Sequence, residues 1–402
     1  MSPTFSILIP TRNRLEYLRH AVETVLRQES GDWEVVIADN CSDQDVAGYA
    51  HSLSDQRVKY IRTSRFVPVT DNWNNALANS SGDYVLMLGD DDGLLPGYFA
   101  AMDGLFRKFG PPDCVYTSAY LFTYPGATAE HPNGHLLPYG YANFLRGADS
   151  PFWLDRERAR ELVCRTLNFQ VRLGYNMQFA LISRRFIDSL AVKGPFFQSP
   201  FPDYYAMNVM LLKAERFLVC PQPLVTIGIS PKSYGFYLLS DREAEGVRFL
   251  SSQQRPHDTR RAGGPLLPGT NINTSWLLAM DVLTANYPSD VPMRVNYRRY
   301  RTLQIVYMWR KHCVEGPLTV DEIQDFTASL YWWEQLLYRA AVSLLPLVAK
   351  LLPVRLRRRA LNRVAREVDK QLAQLPVWAP KPIAGNFSSV VDVFQGMSTC
   401  RN

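Results

Sequence analysis

Ser81-Gly82-Asp83-Tyr84-Val85-Leu86-Met87-Leu88-Gly89-Asp90-Asp91-Asp92-Gly93 is the stretch whose reading decides the fold. The apolar run Tyr84 to Leu88 is hydrophobic on both faces, as a buried strand of a parallel sheet must be. It stops at Gly89 and three consecutive aspartates. Ligands of open α/β sheets sit beyond the carboxyl ends of the strands, so these acids fall where such a protein does its chemistry. Adjacent carboxylates repel one another, and a hard divalent cation would relieve the repulsion. A cation held there would also clamp a phosphate and act as a Lewis acid. Taken by itself, Asp-Asp-Asp-Gly reads more readily as a solvated turn. The segments that precede it favour the first reading.

Working back from Tyr84, the pattern predicts a helix over Asp71–Ala78, strands over Val58–Ile61 and Trp33–Ala38, a helix over Leu15–Arg27 and a first strand over Phe5–Pro10. Such strand and helix alternation predicts a doubly wound, mostly parallel α/β sheet. Working forward, a helix is expected over Pro96–Phe109 with Pro96 in its first turn, and a strand over Asp113–Tyr120. Tyr124–Ser150, rich in Gly, Pro, Asn and His, reads as a long loop of the kind that covers or binds a ligand. A helix over Arg156–Leu167, a strand over Met177–Ser183, a helix opened by Ser199–Tyr205 and running to about Lys213, and strands over Phe217–Val219 and Leu224–Ile229 complete this part. Beyond about residue 240 strand patterns vanish, and helices are expected over Trp276–Tyr287, Arg294–Cys313 and Val320–Leu345. Arg255–Thr270 reads as a linker.

The chain has 402 residues, 47% of them hydrophobic, enough for about two domains and a sizeable core. The net charge of +6 is local: arginine is dense over Arg294–Arg310 and Arg355–Arg366, whereas acids concentrate in the first 130 residues. The six cysteines include no Cys-x-x-Cys pair, which with the absence of a basic-apolar leader predicts reduced thiols in a cytoplasmic protein. No segment reaches the length of apolar sequence that spans a bilayer. His131 and His135 are separated by Pro132 and Gly134, which excludes a helical metal pair.

Ser6-Ile7-Leu8-Ile9-Pro10-Thr11-Arg12-Asn13-Arg14, then Val35 to Asp43, then Asn74, Gly82-Asp83-Tyr84 and Asp90 to Asp92 together resemble glycosyltransferase family 2 over about residues 4–235. The resemblance implies a GT-A-type sheet and sugar transfer from a nucleotide diphosphate, usually with inversion. It implies that Pro10, Thr11, Arg12, Arg14, Asp39, Asn74, Asp90 and Lys232 meet the donor nucleotide, with Asp39 on its base or ribose. It also implies that Asp91 and Asp92 hold Mg²⁺ or Mn²⁺ against the diphosphate. Where the family usually has an acid this chain has Gly89, so the acidic motif is displaced by one residue, and Trp73 stands where many members have an arginine. The family's acceptor-side acid falls at Asp203, expected to take the proton of the acceptor hydroxyl. Phe201, Pro202, Tyr204 and Tyr205 would desolvate it and raise its pKa; capping of its helix is the other role open to it. His257 or another distal histidine would complete the metal site.

The expected organisation is therefore a GT-A domain over 1–238, with a nucleotide-binding half at 1–120 and an acceptor half at 121–238, followed by a mainly helical region over 239–402. Tyr331-Trp332-Trp333, the apolar Ala340–Leu352 and the arginines at 355 and 357–359 suit either a helix lying on the cytoplasmic face of a membrane or a packed helical hairpin with a basic face. No motif that reads nucleic acid accompanies the arginines. The expected function is an inverting, metal-dependent transfer of sugar from a nucleotide-diphospho-sugar, a UDP-sugar first, to a carbohydrate or lipid-linked acceptor in envelope polysaccharide synthesis. A nucleotidyltransferase is disfavoured because Pro10 to Arg14 contains no glycine. A nucleotide-sugar-binding protein without turnover stays open.

Overall fold

The computed structural model describes residues 4–128, 132–139, 145, 147–170, 174–233, 266–267, 272–310, 319–350 and 381–399. In chain order the strands are β1 (Phe5–Thr11), β2 (Trp33–Asp39), β3 (Val58–Arg62), β4 (Tyr84–Met87), β5 (Gly93–Leu94), β6 (Cys114–Thr123), β7 (His135–Pro138), β8 (Phe152–Trp153), β9 (Ala180–Ser183) and β10 (Phe217–Ile229). They form one sheet in the order β3-β2-β1-β4-β9-β6-β10-β5, with β7 paired to β6 and β8 to β10. β1 runs parallel to β2 and β4, β2 to β3, and β6 to β10. β9 enters antiparallel between β4 and β6, which makes the sheet mixed but mostly parallel.

Helices α1 (Leu15–Leu26), α2 (Val46–Ser52), α3 (Val69–Ala78) and α4 (Tyr98–Phe109) connect the first strands; α5 (Arg156–Leu167), α6 (Arg184–Ser189) and α7 (Pro202–Lys213) belong to the second half. α8 (Ile272–Asn286), α9 (Tyr297–Arg310), α10 (Val320–Ala328), α11 (Trp332–Lys350) and α12 (Val390–Thr399) follow. Every residue of β1 from Phe5 to Ile9 and all of β2 and β4 are buried, as strands covered on both faces require. Trp276, Tyr300 and Phe326 of the later helices join the same hydrophobic core as the sheet. Trp276 lies parallel to Tyr204 of α7 at 4.2 Å, so α8 is seated directly on α7.

Close backbone approach explains one glycine of the opening stretch. A Cβ at Gly82 would collide with the backbone of Phe5 and Ser6. Gly82 N instead donates to Ser6 Oγ at 2.7 Å, and Ser6 Oγ donates to the buried Glu34 at 2.7 Å. Burial alone would raise the Glu34 pKa, but Lys59, Ser6 and Ser81 donate to it and hold it below the usual carboxylate range.

Five expectations about elements are corrected. The helix expected from Pro96 begins at Tyr98, because Gly97 ahead of it takes a left-handed conformation with φ 73°. The long loop contains strand β7, whose four residues pair with Tyr120–Thr123. The strand expected over Met177–Ser183 opens as a 3₁₀ turn at Met177–Phe179. The two strands expected within Phe217–Ile229 are one strand with bulges around Pro223, a residue that cannot donate to the ladder. The helix expected over Val320–Leu345 is two, broken at Ser329–Tyr331, where Thr319 and Glu322 form a capping box at the first start. Helix α12, which packs Val390 and Val393 with Tyr17 and Tyr124, was not anticipated. Arg255–Arg261, His131, His257, Cys313, Cys400 and the arginines at 355–366 lie outside the described residues.

Candidate active site

β1 and β4 are parallel neighbours, so the chain leaves the sheet beside itself at Thr11 and at Leu88. Beyond these two ends Thr11, Arg14 and Asp90–Asp92 come together. Thr11 Oγ1 donates to Asp90 Oδ2 at 2.7 Å. Arg14 Nη1 lies 2.8 Å from Asp90 Oδ1, and Arg14 Nη2 lies 2.5 Å from Asp91 Oδ2. The third strand end to arrive is that of β10: Ser230 Oγ donates to Asp91 Oδ2 at 2.8 Å, and Gly228 N donates to Asp92 Oδ1 at 2.8 Å. Asp92 folds back over its own turn, accepting from Gly89 N at 2.8 Å and from Gln178 Nε2 through its other oxygen.

All three aspartates are buried. Burial pushes the Asp90 pKa up to about 6, with Arg14 opposing and Asp91 adding to the rise. Burial, followed by the charge of Asp91, pushes Asp92 up to about 8 against hydrogen bonds from Gly228, Gln178 and Gly89. For Arg14 burial alone would lower the pKa, but the acids outweigh it and raise the pKa, so the guanidinium stays charged.

The glycine at position 89 has a physical explanation here. A Cβ at position 89 would land on the carboxylate of Asp92, which occupies the space that a side chain there would need. Gly228 has the same function on the other side, since a Cβ would meet the carbonyl oxygen of Asp91.

The remaining expected residues are distributed around this centre. Pro10 pairs in register with Ala38, and Thr11 with Asp39. Asp39 is fully buried at the end of β2, where Oδ1 accepts from Ser42 N at 2.9 Å and Oδ2 from Tyr60 OH at 2.8 Å. Both its strand-end placement and its turn bond therefore coexist. Arg12 places its guanidinium 3.8 Å from the centre of the Phe66 ring rather than on the acids. Asn74 exchanges two hydrogen bonds with the backbone of Phe197, at 2.8 and 3.1 Å, tying α3 to the segment before α7. Trp73 packs edge-on against Phe197 at 5.2 Å. Lys232 is exposed in the turn closed by Ser233 N on Ser230 O, two residues past the serine bonded to Asp91.

Asp203 is the second residue of α7, after Pro202. It does not cap the helix from the N-cap position, which Phe201 holds. Its Oδ1 accepts from Tyr204 N at 3.0 Å, and burial raises its pKa to about 7. Sequence reasoning missed Ser230, Gly228 and Gln178. Ser230 and Gly228 flank the end of β10, and only the register of that strand, 136 or more residues on from the acids, brings them there; Gln178 arrives on the 3₁₀ turn Met177–Phe179.

Residues 6–168 match the model of the family described as Glycosyl transferase family 2. This segment is similar to the family 2 glycosyltransferases. The chain is 33% identical over 109 residues to GalNAc(5)-diNAcBac-PP-undecaprenol beta-1,3-glucosyltransferase of Campylobacter jejuni, a match covering 26% of this chain and 34% of the relative. It is 33% identical over 97 residues to the putative colanic acid biosynthesis glycosyl transferase WcaA of Escherichia coli, covering 24% and 35%. The matches thus span about a third of the length of these relatives. A solved structure of TarS residues 1–349 from S. aureus, in complex with UDP-GlcNAc, aligns over 96% of this chain and all of that one with a TM-score of 0.50 and 12% identity. That likeness extends the shared fold beyond the family 2 segment into the helical region.

The donor chemistry of the cluster fits a hard divalent cation, since Asp90–Asp92 offer only oxygen and Gln178 Oε1 is buried without a hydrogen-bond partner among the described residues. The present arrangement does not enclose one: among the described residues no three His, Cys, Asp or Glu side chains are grouped to hold a metal. Arg14 bridges Asp90 and Asp91 instead.

Proposed function

We propose that the chain is an inverting, metal-dependent glycosyltransferase that moves a sugar from a nucleotide-diphospho-sugar, with UDP-sugars the first to test, to a carbohydrate or lipid-linked acceptor in polysaccharide or cell-envelope synthesis. The observation that carries this reading is the convergence of three strand ends on buried acids, Thr11 and Arg14 from β1, Asp90–Asp92 from β4 and Ser230 from β10. A buried cluster with more acids than bases, at the carboxyl edge of a parallel sheet, suits a cationic or phosphate-bearing ligand.

Asp39 would receive the base or ribose, and Thr11, Arg12, Arg14, Asn74, Asp90 and Lys232 would surround the remainder of the donor, with Pro10 fixing the turn. Asp91 and Asp92 would hold Mg²⁺ or Mn²⁺, which when bound neutralises charge gathering on the departing diphosphate. Arg14 would share that task through charge-assisted bonds to phosphate oxygen. On the acceptor side Asp203 would take the hydroxyl proton as the hydroxyl oxygen attacks the anomeric carbon from the face opposite the leaving diphosphate. With a pKa of about 7, Asp203 is a base matched to neutral pH. The division at residue 238 would separate this catalytic domain from helices that bring it to the cytoplasmic face of a membrane, where a lipid-linked acceptor resides. The outward face of α11 supports that placement, with Trp332 78% and Leu336 66% exposed.

Calorimetric titration with UDP, GDP and dTDP, with and without Mn²⁺, tests the donor site on wild type and Asp91→Ala. Metal-dependent binding of one nucleotide, lost in Asp91→Ala, is the expected result, with transfer to a lipid-linked acceptor lost in Asp203→Asn. Failure to bind any of the three would sink the reading; binding without transfer would reduce the chain to a nucleotide-sugar-binding protein.

A further inference from the structure

Asp90 and Asp91 already have a cation between them. Arg14 Nη1 is 2.8 Å from Asp90 Oδ1, Nη2 is 2.5 Å from Asp91 Oδ2, and Nη2 also donates to Ser230 Oγ at 2.7 Å. A divalent ion held by Asp91 and Asp92 would need the Asp91 oxygen that Arg14 now contacts, and two positive charges at that spacing would repel. Arg14 is nonetheless incompletely bonded. Its Nε is buried without a hydrogen-bond partner, so one edge of the guanidinium is satisfied and the other is not. Leaving a buried donor of a charged group unpaired is costly, and a phosphate oxygen would relieve it. The backbone of Arg14 is fixed, because its carbonyl accepts from Tyr17 N and Leu18 N at 3.0 Å at the head of α1. Its side chain makes no capping bond to that helix.

We propose that Arg14 is a resident counter-cation that occupies the Asp91 oxygen the divalent ion would need, and that it leaves the acids for the donor's diphosphate as the ion enters. This inference rests on the donor-site reading above. Its consequence is that ion and nucleotide load together: the ion alone must expel Arg14 from Asp91 with no phosphate to receive it, whereas with the nucleotide present the diphosphate receives it. Such coupling is reciprocal, so each ligand strengthens the other.

The test is Mn²⁺ binding to the full chain in the absence of nucleotide, by electron paramagnetic resonance of the free ion, for wild type, Arg14→Met and Arg14→Lys. Arg14→Met is expected to bind Mn²⁺ at least tenfold more tightly than wild type, and Mn²⁺ is expected to raise its Tm by more than that of wild type. Arg14→Lys, whose single ammonium cannot bridge both acids, should fall between them; it carries the test if Arg14→Met does not fold without the ion. Equal or weaker Mn²⁺ binding by the variants overturns the inference. Binding of UDP by wild type that is unchanged in EDTA overturns it too, since Arg14 would then be a permanent replacement for the ion. UDP titrations of the same preparations separate the two levels: wild type that binds UDP only with Mn²⁺, beside variants with no gain for the ion, removes the role of Arg14 alone, whereas wild type that binds no nucleotide removes the donor site.

Discussion

Two buried arginine–carboxylate assemblies, one at the strand ends and one in the helical region, differ in how completely they are paired. In the helical region Arg301 and Glu334 match one to one: Nε donates to Oε1 at 2.8 Å, Nη2 to Oε2 at 2.5 Å and to Ser329 O at 3.0 Å. Tyr331 N adds a bond to Glu334 at 2.9 Å, and the Tyr331 ring lies 4.2 Å from the guanidinium. At the strand ends one arginine faces three buried acids, two of which are pushed towards neutrality, and Arg14 Nε is left unbonded. A matched, fully bonded pair holds two helices and the break between them in register. An unbalanced cluster keeps a place for something else.

Asp203 extends the comparison to an acid with no basic partner among the described residues, and it carries the largest expected effect. Asp203→Asn should lower kcat by about 10² to 10⁴ fold while leaving nucleotide affinity unchanged, which single-turnover assays beside calorimetry would check. In wild type the deprotonated form is the base, so kcat/KM should rise with pH and level off above about pH 7, the value to which burial lifts this carboxyl. Burial-raised acids also cost stability as they ionise: the folded pKa exceeds that of the unfolded chain, so the contribution is whole below about pH 4 and is lost as pH rises through 7. A flat pH profile across that window would take Asp203 out of the reaction.

The paired assembly should fail by unfolding instead. Arg301→Met strands Glu334 in the core and should cost about 3–5 kcal/mol in denaturant melts. The double variant Arg301→Met/Glu334→Leu should recover most of that loss, because it removes both charges rather than orphaning one. Neither change touches the strand ends, so the folded fraction should bind nucleotide as wild type does. Loss of nucleotide affinity in the double variant would show that the two assemblies are not independent.

Much of this contrast was legible in the chain itself, and the unread part has definite causes. β1 to β4 were readable because strands buried on both faces give uninterrupted apolar runs, and the turn residues stand immediately after them. Thr11, Arg14 and Asp90–Asp92 follow from that placement, since a parallel sheet delivers all its carboxyl ends to one edge. Ser230 and Gln178 were not readable, because β10 crosses to the cluster from far along the sequence and β9 reverses direction to enter the sheet. Pairing direction leaves no mark on a single strand's composition. The break at Ser329–Tyr331 was hidden for a related reason: helical periodicity on either side is in phase enough to pass for one helix, and Arg301, from another helix, fixes the kink by bonding to Ser329 O and Glu334.

A smaller effect is expected where the cluster is most tightly built. Gly89→Ala puts a methyl group onto the carboxylate of Asp92, which must then give up its bonds to Gly89 N and Gln178. Overpacking of this kind costs about 1–3 kcal/mol. Because Asp92 moves while Asp90 and Asp91 keep Arg14, donor affinity should fall less than in Asp91→Ala, by about tenfold in the same calorimetry. If Gly89→Ala is neutral, the position tolerates a side chain and the displaced motif has another origin.

The smallest effect on stability should come from the most apolar surface. On α11 the face carrying Glu334 and Tyr338 is buried against Arg301 and Phe326, whereas Trp332, Trp333, Leu336 and Leu337, one turn apart in pairs, face outward. Side chains that have not left water contribute little to folding, so Trp332→Ser/Leu336→Ser should shift the unfolding free energy by only about 0.5 kcal/mol. The same double change should remove most co-sedimentation with vesicles containing anionic lipid, because apolar area buried at an interface is what these residues have to offer, with the sequence from Gln335 to Arg366 carrying basic residues and no acid to assist. A variant that is destabilised by several kcal/mol would mean that this face is covered within the folded chain, and a variant that stays on vesicles would move any membrane contact to another surface.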